Sequence, residues 1–512
     1  MTRHDLESMS AVAFQSLTQA IANHQKTLVP VSVGMIESIA AGVVRVSGLE
    51  SIGYEELVQF ADGSLGMAYD LDVHDIGVIL FGQPANLNIG EPVRRLGRVL
   101  DIPVGHELLS RVIDPLGRPL DGADPVKTRR RLPVERPAPA IMDRLPVTVP
   151  LHTGIKAIDA MVPIGRGQRE LIIGDRKTGK TAVALDTIIS QRDSSVFCIY
   201  CAIGQRSAAV AKVIDILRKN DALNHCVVVV AESNEAAGLS YIAPYAATSI
   251  AEFFMSEGYD TLIVYDDLTQ HARSYRELSL LLHRPPGREA FPGDIFYIHS
   301  RLLERSTRLK PELGGGSLTA LPIVETESQN ISAYIPTNLI SITDGQIYLS
   351  PALFELGVLP AIDVGLSVSR VGGKAQQEIY RTIVKDLKLA YVQFAELESF
   401  ARFGAHLDDT SRKMLAHGHK IRACLKQVDQ KPVPFEAQIL ILIALAEGLL
   451  EAVPLEHLAQ VQDKLVQTAA ENQNSIAAMI VESHPDQESR YPSLIQLAEK
   501  TVAPYIRNKE SS

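Results

Sequence analysis

At 512 residues the chain is long enough for roughly three domains. Its 46% hydrophobic and 21% charged residues exclude a disordered or fibrous protein. A formal charge of −10 argues against a general nucleic-acid binder, although it leaves a local basic channel open.

The chain opens on Met1-Thr-Arg-His-Asp-Leu6, which has neither the charged-then-apolar order of a secretion signal nor the arginine-rich character of a transit peptide. Residues 5–26 contain no Gly or Pro and place Leu6, Met9, Ala13, Leu17 and Ile21 at helical intervals, so residues 1–27 are expected to form an amphipathic arm. Periodicity alone leaves open whether its apolar face docks on a partner or on its own domain. Between 28 and 98 the pattern changes to short β-rich runs, such as 31–36, 42–46 and 76–81, separated by Gly, Asp and Asn turns. This predicts a small N-terminal β-barrel of the six-stranded type, a scaffold without a catalytic constellation.

Pro133, Pro137, Pro139, Pro146 and Pro150 then mark a stiff, extended connection inside a unit expected to span 99–380. From about 151, strand and helix patterns alternate, which predicts an α/β domain with a mostly parallel sheet and helices on both faces. Cys198 and Cys201 lie there in an apolar run that reads as a buried strand. Residues three apart on a strand face opposite sides, so the two are poorly placed to share a metal or a bridge, and the four cysteines do not make a disulfide framework. From 381 to 512 the chain reads as a helical bundle, with helices expected over 379–403, 410–427, 436–452, 455–480 and, shorter, 491–507. Its longest apolar run, Ile439 to Ala446, is far short of the ~20 residues a membrane span needs. Any membrane association must then come through partners.

The chemistry begins at Gly174-Asp175-Arg176-Lys177-Thr178-Gly179-Lys180-Thr181. This is G-x-x-x-x-G-K-[ST] between an apolar strand and a helical run, the setting a phosphate-binding loop requires. Gly174 and Gly179 let successive N–H groups turn inward on an anion, and Lys180 adds a point charge. Thr181 offers a hydroxyl to Mg²⁺, while the following helix directs its positive end at the phosphates. The expected ligand is a nucleoside triphosphate or diphosphate with Mg²⁺. A second apolar run, 261–266, ends in Asp266 and Asp267, and Asp266 is the expected carboxylate of the Mg²⁺ shell.

Together with the P-loop, three further segments make a specific pattern: Leu278 to Asp294 with its Arg-Pro-Pro-Gly-Arg-Glu-Ala-Phe-Pro-Gly run, Ser317 to Thr326, and Pro360 to Arg370. Pro360, Asp363, Ser367 and Ser369 fit P-x-x-[DN]-x-x-x-S-x-S. The whole chain resembles the alpha subunits of F-type ATP synthases. That resemblance implies a RecA-like central domain, ATP or ADP as bound nucleotide, and a ring of three alpha and three beta subunits around a central-stalk gamma subunit. It also implies a peripheral-stalk contact for the N-terminal arm, and a place at the cytoplasmic face of a bacterial plasma membrane in a complex coupled to H⁺ or Na⁺. In such families the catalytic beta subunit has a glutamate where this chain has Gln205. Gln205 and Gln427 then count among the nucleotide-binding residues, and Arg370 is the finger offered across the interface to the beta-subunit site. The Pro285–Gly293 stretch corresponds to a loop facing the stalk.

Three positions depart from the usual pattern: Lys177 in the P-loop, Leu359 before Pro360, and Asp429 where a second glutamine contacts the base. They lead us to expect weaker or altered nucleotide affinity. A self-sufficient ATPase of the secretion or flagellar type is the alternative reading, and Gln205 counts against it. An RNA-translocating hexamer fits an acidic chain without a basic aromatic N-terminal domain poorly. A purely structural nucleotide-binding subunit is distinguished by Arg370.

Overall fold

The computed structural model describes residues 32–401, 408–482 and 491–506, so the expected N-terminal arm lies outside the described residues. Six strands, Val33–Ala40, Val43–Ser47, Glu56–Gln59, Leu65–Leu71, Ile76–Leu80 and Pro92–Val99, close into an antiparallel barrel. Alternate residues divide between two environments, as the pleat requires. Val44, Val46, Val58, Val78 and Val93 fill the barrel, while Val43, Leu57, Met67 and Ile79 point outward into a core shared with the next domain.

The central sheet has eight strands in the order Val368–Ser369, Gly345–Leu349, Glu170–Asp175, Ser317–Thr326, Asp260–Asp266, Val196–Gln205, Cys226–Glu232, Val112–Ile113. All neighbours are parallel except the Val368–Ser369 edge, which runs antiparallel to Gly345–Leu349. Both faces are buried, so these strands read as continuous apolar runs rather than alternating ones. Ile172, Cys198, Tyr200 and Val264 belong to one core, and Leu171, Ile173, Ile199, Cys201 and Tyr265 to the other. Cys198 and Cys201 therefore point to opposite sides, and all four cysteines are free and buried.

The first of these cores runs on into the helical domain, whose helices are Glu378–Ala401, Asp409–Leu425, Phe435–Ala446, Leu458–Glu471, Gln473–Glu482 and Pro492–Val502. Phe435–Ala446 is the central one: Ile439 to Leu445 are at most 2% exposed. It stops six residues short of the sequence expectation because Gly448 turns left-handed at φ 70°. The helix expected over 455–480 is two helices. Asn472 breaks it by donating its side-chain amide to the Thr468 carbonyl, a local bond that competes with the helical ladder. Among the described residues, no helix is long and apolar enough to cross a membrane.

A buried ion pair ties the Pro-rich connection to the sheet. Arg305, 0% exposed, donates Nε and Nη2 to the two carboxylate oxygens of Glu252 at 2.8 Å, Nη2 also to Ser249 Oγ, and Nη1 to the Val134 carbonyl. Removing Arg305 leaves the buried Glu252 carboxylate with only Arg136, whose Nη1 reaches its Oε2 at 3.1 Å. Arg305→Ala is expected to destabilise the chain by about 3–5 kcal/mol, whereas Arg305→Met with Glu252→Leu should cost much less; denaturant unfolding of both variants checks this.

Candidate nucleotide site

The phosphate loop connects the strand Glu170–Asp175 to the helix Lys180–Ser190. A Cβ on Gly174 would stand 2.7 Å from the Leu349 carbonyl oxygen, and Gly179 adopts φ 97°, so neither position accepts a side chain without strain. Thr178 pins the turn by donating to the Asp175 carbonyl at 2.8 Å. Lys180 is 6% exposed and donates Nζ to the Gly174 and Asp175 carbonyls at 3.0 and 2.6 Å, which holds its charge over the loop. Burial pulls this ammonium below its ordinary range, and the carboxylates of Glu325, Asp267, Asp266 and Asp175 oppose that pull.

Not every residue of the loop points at a ligand. The Asp175 carboxylate accepts from Thr326 Oγ1 and from the Gln329 N–H, and Arg176 pairs with Glu325 at 3.1 Å while staying largely exposed. Lys177 sits at φ 65° with its side chain exposed, so it is turned to solvent.

At the other side of the helix start, Thr181 Oγ1 donates to Asp266 Oδ2 at 2.8 Å. Tyr200 donates to the same oxygen at 2.7 Å, and the Gln205 amide approaches Asp266 Oδ1 and the Asp266 carbonyl at 3.3 Å each. Burial raises the Asp266 carboxyl, and the two hydrogen bonds from Tyr200 and Thr181 restrain the rise. Its neighbour Asp267 caps the helix Leu268–Leu281 by accepting from the Gln270 N–H. Burial first, then the charges of Asp266 and Glu325, push Asp267 up to about 7. Sequence reasoning found Thr181, Gln205 and Asp266 but missed the roles of Tyr200 and Asp267. A lone tyrosine in an apolar strand signals nothing until its register with Asp260–Asp266 is known.

An oxygen-lined position between Thr181 and Asp266 fits Mg²⁺, which takes one or two protein oxygens and completes its shell with phosphates and water. Among the described residues there is no group of three or more His, Cys, Asp or Glu that could hold a metal ion.

Beyond Thr178 and Gly179 opens a cavity of about 170 Å³, lined by Ile155, Phe354, Leu359, Pro360, Asp186, Gln427 and Asp429 among others. Gln427 lies at this site, but its amide is committed to the backbone. Its Oε1 accepts the Lys156 N–H at 3.1 Å, and its Nε2 donates to the Gly154 and Lys431 carbonyls.

Arg370 is elsewhere. It follows the edge strand Val368–Ser369 and is exposed, with one long contact from Nη2 to the Ile340 carbonyl at 3.5 Å. The two signature serines fix this segment. Ser367 donates to the Asp363 carbonyl and accepts the Tyr348 N–H, while Ser369 donates to the Pro163 carbonyl and accepts from Gln168 and the Gly372 N–H. Behind it the fully buried Glu170 is pushed well above the carboxylate range by burial and by Asp344, against the pull of Arg370. Ser369 is level with Gly345, and Gly345 with Glu170, the first residue of the P-loop strand. The loop leaves that strand's other end, about 16 Å away at ~3.3 Å per residue. This exceeds the reach of an arginine side chain, so Arg370 cannot serve the phosphates of its own chain.

Residues 33–97 match the β-barrel domain of the ATP synthase alpha/beta family, 154–369 its nucleotide-binding domain and 376–501 its C-terminal domain. The chain is 58% identical over 501 residues to ATP synthase subunit alpha 2 of Polaromonas naphthalenivorans (strain CJ2), covering 98% of this chain and 96% of that one. It is 61% identical over 463 residues to ATP synthase subunit alpha 1 of Marinomonas sp. (strain MWYL1), covering 90% and 91%. With ATP synthase subunit alpha 1 of Shewanella frigidimarina (strain NCIMB 400) the identity is 56% over 505 residues, covering 99% and 98%. With barrel, sheet domain and helical domain all matched, the chain belongs to the ATP synthase alpha/beta family and stands among its alpha subunits.

Proposed function

We propose that this chain is the non-catalytic, regulatory alpha subunit of the F1 sector of a rotary ATP synthase. It binds ATP or ADP with Mg²⁺ at its own P-loop and supplies Arg370 to the catalytic site of a neighbouring beta subunit. The observation that carries this reading is the separation within one chain of an intact phosphate loop from an exposed arginine at the opposite end of the sheet. An arginine so placed completes a site only on another subunit. Gln205 supports the same division, because an amide orients water but takes no proton from it.

In this reading Lys180 and the loop N–H groups hold the phosphates, and Thr181 and Asp266 hold Mg²⁺, which supplies charge neutralisation when bound. The partners are beta subunits in an alternating ring of three and three around the gamma subunit. The stalk-facing Pro285–Gly293 loop is built to stay stiff. Arg284 and Asp294 close its ends at 2.8 Å, Tyr275 bridges both, and Arg276 covers the Phe291 ring at 4.7 Å. The complex then makes ATP from ADP and phosphate on an H⁺ or Na⁺ gradient, or runs in reverse, at the cytoplasmic face of a bacterial plasma membrane.

Equilibrium titration of the full chain with a nucleoside diphosphate, with and without Mg²⁺, tests the site. Asp266→Asn is expected to weaken Mg²⁺-dependent binding about tenfold, the equivalent of ~1.4 kcal/mol, and to leave Mg²⁺-free binding nearly unchanged. Equal affinities with and without Mg²⁺ in the native chain would remove the metal assignment.

A further inference from the structure

Glu170 opens the P-loop strand at the end away from the loop, and it is 0% exposed. Between it and the edge that carries Arg370 lies Gly345, which pairs with Glu170 on one side and with Ser369 on the other. A Cβ at Gly345 would collide with the Val368 carbonyl oxygen and stand 2.6 and 2.8 Å from the two carboxyl oxygens of Glu170. Three oxygens therefore crowd one face of one glycine. The Gln168 side chain, also 0% exposed, joins the two elements: its Nε2 donates to Glu170 Oε2 at 2.7 Å and to Ser369 Oγ at 3.0 Å. The other carboxyl oxygen, Oε1, is buried and accepts no hydrogen bond among the described residues.

An ionised carboxylate only accepts hydrogen bonds, so as a carboxylate Oε1 would be a bare negative oxygen packed beside a carbonyl oxygen. As an acid, the same Oε1 carries a donor that faces the Val368 carbonyl. The charged groups facing Glu170 are Asp344, itself paired with Arg169 at 2.9 Å, and Arg370. Burial first, then Asp344, hold its carboxyl well above the ordinary range, against Gln168 and Arg370. We propose that Glu170 is a positioning residue for Arg370: held as the neutral acid and tied through Gln168 to Ser369, it clamps the edge strand and leaves the guanidinium free to reach the neighbouring subunit. The inference rests on the finger reading above and goes beyond it in naming what aims the finger. An ionised Glu170 would instead draw the guanidinium back toward the core. Aim matters here because Arg370 is directed by its backbone N–H on the Asp344 carbonyl at 3.0 Å, while its guanidinium has one long contact. A misplacement of about 1 Å at a reacting site costs about 10²-fold in rate.

Two measurements test this. In the full chain near neutral pH, the infrared difference spectrum between the native protein and Glu170→Gln is expected to carry the carbonyl stretch of a protonated carboxylic acid. Carboxylate bands in its place overturn the neutral clamp. In the reconstituted complex, Glu170→Ala is expected to lower kcat about 10- to 100-fold, with KM for ATP within about twofold of native. Glu170→Gln, which keeps one donor and one acceptor, is expected to recover turnover to within about threefold of native. Against an Arg370→Ala background, Glu170→Ala is expected to add less than about twofold, because the two residues act through one another. An equal loss in both backgrounds overturns the positioning role and leaves the finger standing. An Arg370→Ala complex with native turnover overturns the finger reading and this inference with it. Where Glu170→Ala does not assemble, Ser369→Ala cuts the same bridge at its other end and carries the same expected kcat loss and the same contrary outcomes.

Discussion

Replacing Arg370 with alanine in a reconstituted complex is expected to lower steady-state ATP turnover by about 10³–10⁵, the range by which an arginine finger accelerates phosphoryl transfer. The guanidinium is planar, permanently charged and able to address two phosphoryl oxygens at once, which an ammonium cannot do, so Arg370→Lys recovers only part of the loss. Because the side chain is exposed and makes a single long contact within its own chain, the substitution is expected to change stability by no more than about 0.5 kcal/mol. A collapse of turnover with unchanged unfolding midpoint and unchanged assembly therefore reports chemistry at the neighbour. Turnover that survives Arg370→Ala would reduce this chain to a structural nucleotide-binding subunit.

The purified chain on its own is expected to bind nucleotide and release no phosphate above background over hours. Two deficits combine. Gln205 occupies the position facing Asp266 with an amide, and a positioned base contributes about 10²–10⁴ in rate, or roughly 3–5 kcal/mol of barrier. Its own Arg370 lies a strand's length from the loop, so the finger contribution is missing as well. Gln205→Glu restores a carboxylate and still lacks the finger, and its expected gain is correspondingly small. Phosphate release assays on both proteins check this, and rapid hydrolysis by the native chain would return it to the self-sufficient ATPase class.

Much of the architecture was legible because its periods are strong. The short β-branched run Val43 to Val46, the apolar runs Leu171 to Ile173 and Val196 to Ile203, and the buried Ile439 to Leu445 each follow from what their surroundings exclude. The P-loop was legible for another reason: its glycines, Lys180 and Thr181 are adjacent in sequence, so the site is nearly complete before any folding is considered. What stayed hidden depends on contacts between distant elements. Tyr200 and Thr181 meet on one oxygen of Asp266 only because the strands Val196–Gln205 and Asp260–Asp266 pair in a particular register. The commitment of the Gln427 amide to Gly154, Lys156 and Lys431 cannot be read from a Gln-x-Asp spacing. Likewise the signature Pro360 to Ser369 suggested a functional motif, whereas its serines act on backbone, pinning an edge strand too short to show any periodicity. Asn472 broke a helix whose apolar spacing alone ran through it.

In the proposed division of labour, one site in this chain holds nucleotide and one residue works on a neighbour. This division is tested most directly by measuring, in the same Arg370→Ala complex, both multisite turnover and the occupancy of this chain's own P-loop by a photoreactive nucleotide. Turnover is expected to fall by about 10³ or more while labelling of this chain keeps its native nucleotide dependence. Undiminished turnover, or a parallel loss of labelling at its own P-loop, would contradict it.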